Sequence, residues 1–291
     1  MQCHQDANAR GRVDFALSNG VWRRAIRAGG ESVCCYRDAF NSSTGGLMET
    51  LSRLIETRRS TRAPFDPRHP IADQDLRHIL EAARWAPTPH NMQNFELIVV
   101  DDHDVLKAIG DITSRVTLTF LKENYQQLSF SVGELRKKKT GLLGTWFPKE
   151  WRDPDTLEEA YRKAKPIPVA ETLQGSPMLL VVISDSRKGA PDSPGDVLGI
   201  LGLGCVMENM WLMAHSLGIS FHIMSEFGED PVEKAAKRIL NIPEYMKVAY
   251  ACRLGYPLHT SKPGKQLRVR RDVEEFTHHN RCGGRIKGRT R

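Results

Sequence analysis

From Asp196 to Leu217 the chain reads as one long helix with apolar residues on nearly every side. Such a helix must be covered on most of its faces, because an aliphatic side chain left in water forfeits roughly 1.5–3 kcal/mol of burial free energy. The chain has no uninterrupted run of about 18 apolar residues, so a membrane span is not expected. In a single-domain chain the remaining cover is a second subunit, and the segment predicts a subunit interface. Its glycines, Gly199, Gly202 and Gly204, fail the G-x-G-x-x-G spacing of a dinucleotide turn, and no strand leads directly into them. Glycines three apart on a helix read as sites of close packing.

The rest of the ordered chain is arranged around this helix. Residues 1–47 hold six arginines besides acidic residues and no lysine, show no sustained apolar period, and end in the loop-like run Asn41–Gly46. They read as a disordered extension, and the acidic residues argue against a transit peptide. A domain over 48–280 follows. Helices are expected over Met48–Thr57, Asp73–Trp85 (with Asp73 as N-cap), Val105–Ile112, Val116–Lys139 and Pro231–Leu240. Strands are expected over Phe95–Val100, Ser176–Ser184, Ile219–Met224 and Val248–Leu254. Helices first, then strands separated by helices, give a mixed α+β layout. Residues 120–168, rich in aromatics and broken by prolines, read as an insertion that either covers a ligand as a lid or elaborates the surface.

Of the 291 residues, 40% are hydrophobic and 26% charged, the balance of an ordinary globular domain. The net charge of +7 favours anionic partners. Part of it lies in the tail 281–291, whose basic residues have no interleaved aromatics, so a solvated tail is expected and no nucleic-acid partner. The six cysteines form no C-x-x-C pair, and the first residues lack a signal-peptide core. Both features predict reduced thiols in a cytoplasmic protein. No metal-ligand spacing occurs, and His278–His279 reads as a surface pair.

Three constellations could carry chemistry. Arg58-Arg59-Ser60-Thr61-Arg62 sets three guanidiniums and two hydroxyls at a helix end, a donor set suited to phosphate. Pro87-Thr88-Pro89-His90-Asn91-Met92-Gln93 holds two amides on a proline-stiffened backbone, able to match an edge that alternates acceptors with an N–H. Arg268-Val269-Arg270-Arg271 could meet the first cluster on a shared phosphate. Taken singly, each reads as a solvated charge run or a polar loop. His215 and His222 read as packed, satisfied residues.

Together these segments resemble the nitroreductase family of flavoproteins. Arg58–Arg62 is similar to the family's R-x-S-x-[KR] motif and Ala86–Gln93 to its A-P-S-x-x-N-x-Q motif, with Thr88 where serine is common. Gly204–Gly218 resembles its central dimer helix, and Ile242-Pro243 through Gly255-Tyr256-Pro257, followed by Arg270-Arg271, resembles its C-terminal signature. The resemblance implies a three-layer α+β fold with a central, mainly antiparallel sheet flanked by helices, and an interwoven homodimer with two FMN sites at its interface. It implies FMN contacts from Arg58, Arg59, Ser60 and Arg62 of one subunit, with Arg62 beside the flavin N1 and O2 edge as stabiliser of negative charge. Pro87, Thr88, Pro89, Asn91 and Gln93 would come from the other subunit. Met224, Ser225 and Glu226 match the strand end along the isoalloxazine, and Arg268 and Arg270 would close the phosphate site.

The activity implied is ping-pong hydride transfer from NADH or NADPH through flavin N5 to a small oxidised substrate, a nitroaromatic or quinone. The cofactor carries that chemistry, so no side-chain acid or base is demanded. Alternatives are a flavin-dependent dehydrogenase or reductive dehalogenase of a metabolite, and, outside enzymes, a basic interaction module. The iodotyrosine-deiodinase subgroup shares the flavin motifs, but its Glu…Tyr…Lys clamp has no clear counterpart among Glu123, Tyr125 and Lys137.

Overall fold

A computed structural model of the protein describes residues 14–18, 21–25, 50–144, 149–258 and 267–284. The chain divides into two compact units, Met1–Arg53 and Leu54–Arg291. In the first, β1 (Asp14–Ser18) pairs antiparallel with β2 (Val21–Ala25), Ser18 standing opposite Val21. Only Asn19 and Gly20 separate the two in sequence, the dipeptide that most favours a tight hairpin. The remainder of 1–47 lies outside the described residues, as does 285–291 of the basic tail.

The chain is helical over 50–57 (α1). After an extended stretch comes α2 (Asp73–Arg84), which buries Ile79 and Ala83; its N-cap is Ala72, with no side-chain cap, so Asp73 is the first helical residue and not the cap. β3 (Glu96–Val100) leads into α3 (His103–Gly110), where the Asp102 carboxylate accepts from the amides of Asp104 and Val105. The single helix expected over Val116–Lys139 is broken. The short strand β4 (Thr113–Ser114) precedes α4 (Leu118–Glu123), a π-helical turn at Asn124–Leu128, β5 (Ser129–Phe130) and α5 (Val132–Lys138). The reason is local: Ser131 and Glu134 close a capping box that starts a fresh helix, and Lys139 ends it at φ 54°.

Next come β6 (Leu142–Leu143), α6 (Pro154–Lys163), β7 (Ile167–Pro168) and α7 (Ala170–Leu173). Thr113 and Ser114 pair with Pro168 and Ile167, so the excursion between them leaves and returns at one place. Inside it α4 and α6 are joined by Lys122–Glu158 at 2.5 Å, and Leu121 and Leu157 are buried.

The remaining elements are β8 (Met178–Asp185), α8 (Val197–Ser216), β9 (Ser220–Met224), α9 (Asp230–Ile239), β10 (Met246–Gly255) and the short α10 (Val273–Phe276). The main sheet is antiparallel throughout, in the order β3-β8-β10-β9. Strand alternation splits the core in two. Met178, Leu180, Val182, Phe221, Cys252 and Leu254 face α2 and α8 on one side. Leu179, Val181, Ile183, Met224 and Ala251 face α3, α7 and α9 on the other. The result is helix, sheet, helix: an α+β fold in three layers.

In α8, Gly202, Val206, Met210, Trp211 and Ala214 are buried, whereas Val197, Ile200 and Leu201 are 55%, 61% and 59% exposed. By length and composition alone Pro194–Ser216 could cross a membrane. Its apolar run is nevertheless interrupted by Glu208, Asn209 and His215.

Candidate functional site

The chain leaving α1 is laid along β9, which ends the strand order of the sheet. The Thr61 amide donates to the Phe221 carbonyl at 3.1 Å, Phe65 N to Gln174 O at 2.9 Å, and Asp66 N to Tyr256 O at 2.8 Å. Phe65 is 1% exposed and bridges to Pro257. It fits because Gly255 has no side chain: a Cβ there would lie 2.9 Å from the Phe65 ring and 2.8 Å from Pro177. The arginine-rich segment is thus held at both ends.

Its middle is held by a residue that sequence reasoning misses. Arg253, on β10, has no exposed surface. Its Nη2 donates to the carbonyls of Thr61 and Ala63, both at 3.1 Å, its Nη1 to Leu173 O at 3.0 Å, and its Nε to His222 Nδ1 at 3.1 Å. The guanidinium lies 4.2 Å over the Phe65 ring. Burial lowers its pKa to about 10, with Arg62 adding to the shift and Glu226 opposing it. Burial, then Arg253 and Arg62, drive His222 down to about 3, so its ring is neutral. A neutral ring accepting at Nδ1 carries its proton on Nε2. The available signal was a lone arginine inside the otherwise apolar strand Val248–Gly255.

Arg58 turns to the opposite face of the sheet. Its Nε is 3.2 Å from Glu208 Oε1 and its guanidinium 4.1 Å over Trp211, which stacks on Phe221. That Nε is buried and lacks the alignment of a hydrogen bond. Thr57 Oγ1 is bonded to His215 Nε2 at 2.8 Å. Arg268 reaches the same place from far along the chain, donating from Nη2 to the Glu56 carbonyl. Burial lowers the Arg268 pKa, and the neighbouring charges of Arg59, Arg270 and Arg58 lower it further. Burial also lowers His215, followed by Arg58, Arg268 and Arg59. The two basic clusters of the sequence therefore meet, as a concentration of like charge beside the second half of α8. Arg62 is exposed as a residue, yet partial burial of its guanidinium lowers its pKa.

The amide loop sits elsewhere on α8. His90, Asn91 and Gln93 have φ of 49°, 53° and 49°, left-handed positions that asparagine tolerates and that cost the other two of order 1–3 kcal/mol each. The Gln93 amide donates to Thr88 Oγ1 and its side chain to Asn91 Oδ1, both at 3.1 Å. Pro87, Thr88 and Pro89 pack on Gly202, where a Cβ would come within 3.1 Å of Pro89 Cδ. Of the three glycines in the first half of α8, Gly202 is thus the packing site, whereas a Cβ at Gly204 would meet nothing within 4 Å. Glu208 follows Gly202 by about 9 Å of helix rise. The contacts of Arg58–Arg62 run to β9, β10 and the second half of α8, and those of Pro87–Gln93 to the first half. Within one chain the structure does not bring the two segments together.

At the end of β9, Met224 is 0% exposed and packs into the core, so its side chain is not available to a ligand. Ser225 is exposed. Glu226 has a buried Oε1 with no hydrogen-bond partner among the described residues. Burial raises Glu229, and the charge of Glu226 raises it further. No cluster of metal-ligating side chains occurs among the described residues.

The sequence pattern of the nitroreductase family matches residues 55–256 of this chain. A protein of Archaeoglobus fulgidus, provisionally named NADH dehydrogenase/NAD(P)H nitroreductase, is 25% identical over 210 residues, 72% of this chain and 87% of its own length. Among solved structures, a nitroreductase with bound FMN from Bacteroides fragilis aligns over 77% of this chain and 96% of its own, at 21% identity and a TM-score of 0.48. An FMN-dependent nitroreductase from Clostridium difficile aligns over 78% and 98%, at 18% identity and a TM-score of 0.48.

Proposed function

This chain belongs to the nitroreductase family, and on that premise we propose that it is an FMN-dependent oxidoreductase, acting as a homodimer, that passes hydride from NADH or NADPH to a small oxidised acceptor. A nitroaromatic or a quinone is the acceptor class, and a ping-pong order the kinetic form. The observation that carries the reading is the convergence of Arg58, Arg59 and Arg268 beside α8. Like charges gathered on partly desolvated side chains repel, and a bound phosphate relieves that repulsion while using the donors left over. Arg58 Nε faces Glu208 at 3.2 Å, which leaves its terminal Nη donors as the ones to meet a phosphate.

Bound FMN would supply the two-electron chemistry, accepting and releasing hydride at N5. The protein's residues bind and orient. Arg58, Arg59, Ser60, Arg268 and Arg270 would hold the phosphate and ribityl chain. Arg62 would set positive charge against the N1 and O2 edge, where negative charge gathers on reduction. Ser225 and Glu226 would line the ring, with Met224 behind them in the core. Pro87, Thr88, Pro89, Asn91 and Gln93 would come from the partner subunit, which accounts for their separation from the arginines within one chain.

The exposed aliphatic face of α8 is the dimer contact in this reading. A membrane is the poorer cover, because Glu208 pairs with Arg58 on the same helix and Gly202 is packed by Pro89. The test is an absorbance spectrum of the purified protein followed by anaerobic titration. We expect a yellow protein, bleached by NADH or NADPH and recoloured by a nitro compound or quinone. A colourless protein that takes up no added FMN would refute the proposal.

A further inference from the structure

Arg253 is an odd residue to bury. A guanidinium removed from water is costly even when paired, and a well-packed apolar side chain in its place is often neutral or stabilising. Its burial is therefore poorly explained by stability. Its hydrogen bonds suggest another purpose. The two carbonyls bound by Nη2 are those of Thr61 and Ala63, on either side of Arg62. The Thr61 amide is tied in turn to Phe221 of β9. The main chain that carries Arg62 is thereby fixed from both neighbours by one buried side chain.

That side chain is itself oriented by His222, which stands directly opposite it across β9 and β10 and accepts from Nε at 3.1 Å. A neutral acceptor at this position spends one of the Arg253 donors without adding a third positive charge beside Arg62. Leucine there would leave Nε unpaired, and lysine would compete with it. The other charged group that acts on Arg253 is Glu226, which favours the cation and in turn raises Glu229.

We infer that Arg253 and His222 form a positioning pair that sets where Arg62 stands and the positive potential it presents to the ligand. The inference rests on the reading of Arg62 as the cation at the flavin's pyrimidine edge. It makes Arg253 a positioning residue and not a catalytic one, since it acts through Arg62.

The test is a double-mutant cycle on the FMN-bound protein, with Arg62→Gln, Arg253→Met and the double variant. The FMN dissociation constant and the flavin midpoint potential are the readouts. Arg62→Gln and Arg253→Met each weaken FMN binding on the order of tenfold, the equivalent of one charged hydrogen bond, and each lowers the midpoint potential. In the Arg62→Gln background, Arg253→Met adds little to either. Equal effects of Arg253→Met in both backgrounds, or none in the wild type, would overturn the inference and leave the proposed function standing. Wild-type protein that binds no FMN overturns both. Should Arg253→Met not fold, nitrogen NMR of His222 in the wild-type protein decides between the alternatives. A neutral ring with its proton on Nε2 supports the pair, and a proton on Nδ1 rejects it.

Discussion

Arg58 is held on two sides, by Glu208 at its Nε and by the Trp211 ring, which leaves its terminal donors to a ligand. A side chain fixed this way has already lost its rotamer freedom before a ligand arrives, so a phosphate meets a preorganised guanidinium. Arg58→Ala should therefore weaken FMN binding by at least about tenfold, since a charge-assisted hydrogen bond is worth roughly 1.5–3 kcal/mol. Flavin content after gel filtration measures it, and unchanged content would contradict the assignment. His222 carries a different prediction. Its folded-state pKa, about 3, lies far below the ordinary 6.5. Between those values the unfolded chain binds a proton that the folded chain refuses, so stability falls as pH drops through this window. At about 1.4 kcal/mol per pH unit, acidifying from near 6.5 to near 4.5 should cost on the order of 2–3 kcal/mol. Urea midpoints across that range should follow this slope, and His222→Gln should flatten it. An identical slope in the variant would show that other groups cause the acid lability.

Among the elements, α8 carries the most. Its buried face packs on α2 and the sheet, its glycine at 202 admits the Pro87–Pro89 loop, its Glu208 holds Arg58, and its His215 meets Thr57. Both halves of the candidate site are thus referred to one rigid rod. What the single chain leaves uncovered is the start of that rod, where Val197, Ile200 and Leu201 face outward. Replacing Ile200 and Leu201 together with glutamate puts two charges into any apolar contact made there. We expect the pair to shift the protein from dimer to monomer in sedimentation, with loss of flavin and little loss of helical circular dichroism. A variant that stays dimeric would place the interface elsewhere. β10 is the other decisive element. Because it lies between β8 and β9, its Arg253 can reach Thr61 and Ala63 on one side and Leu173 on the other. The insertion between β4 and β7 is tied to the far end of the chain by Lys139, which pairs with Asp272 and Glu275 just beyond Arg268 and Arg270.

At the scale of the whole molecule, the arginine segment and the amide loop lie against different halves of α8, and in the proposed dimer an intact site needs both. If they come from opposite chains, two dead variants should complement each other. Chains carrying Arg58→Ala co-expressed with chains carrying Asn91→Ala and Gln93→Ala should regain about a quarter of the wild-type flavin, because half of randomly formed dimers are mixed and each has one intact site. No recovery would mean that both segments serve a site within one chain. Much of this architecture was legible in the sequence. The apolar periods of α2, α8, α9 and the four main strands are local properties, fixed within a turn of helix or a few residues of strand. So was the concentration of guanidinium donors at Arg58–Arg62 and Arg268–Arg270, which follows from residue type. Equally local signals lie at Asn19–Gly20 and at the Ser131–Glu134 box that breaks the long helix, and apolar periodicity alone does not register either. Other features were beyond any local reading: that Arg268 comes to Glu56, that Arg253 clamps the carbonyls around Arg62, and that His222 is kept neutral. These join residues far apart in the chain, and strand order and core packing determine which of them meet. Spacing along a sequence encodes how a segment coils, whereas contact between segments is chosen by whichever arrangement buries the most apolar surface with the fewest polar groups left unpaired.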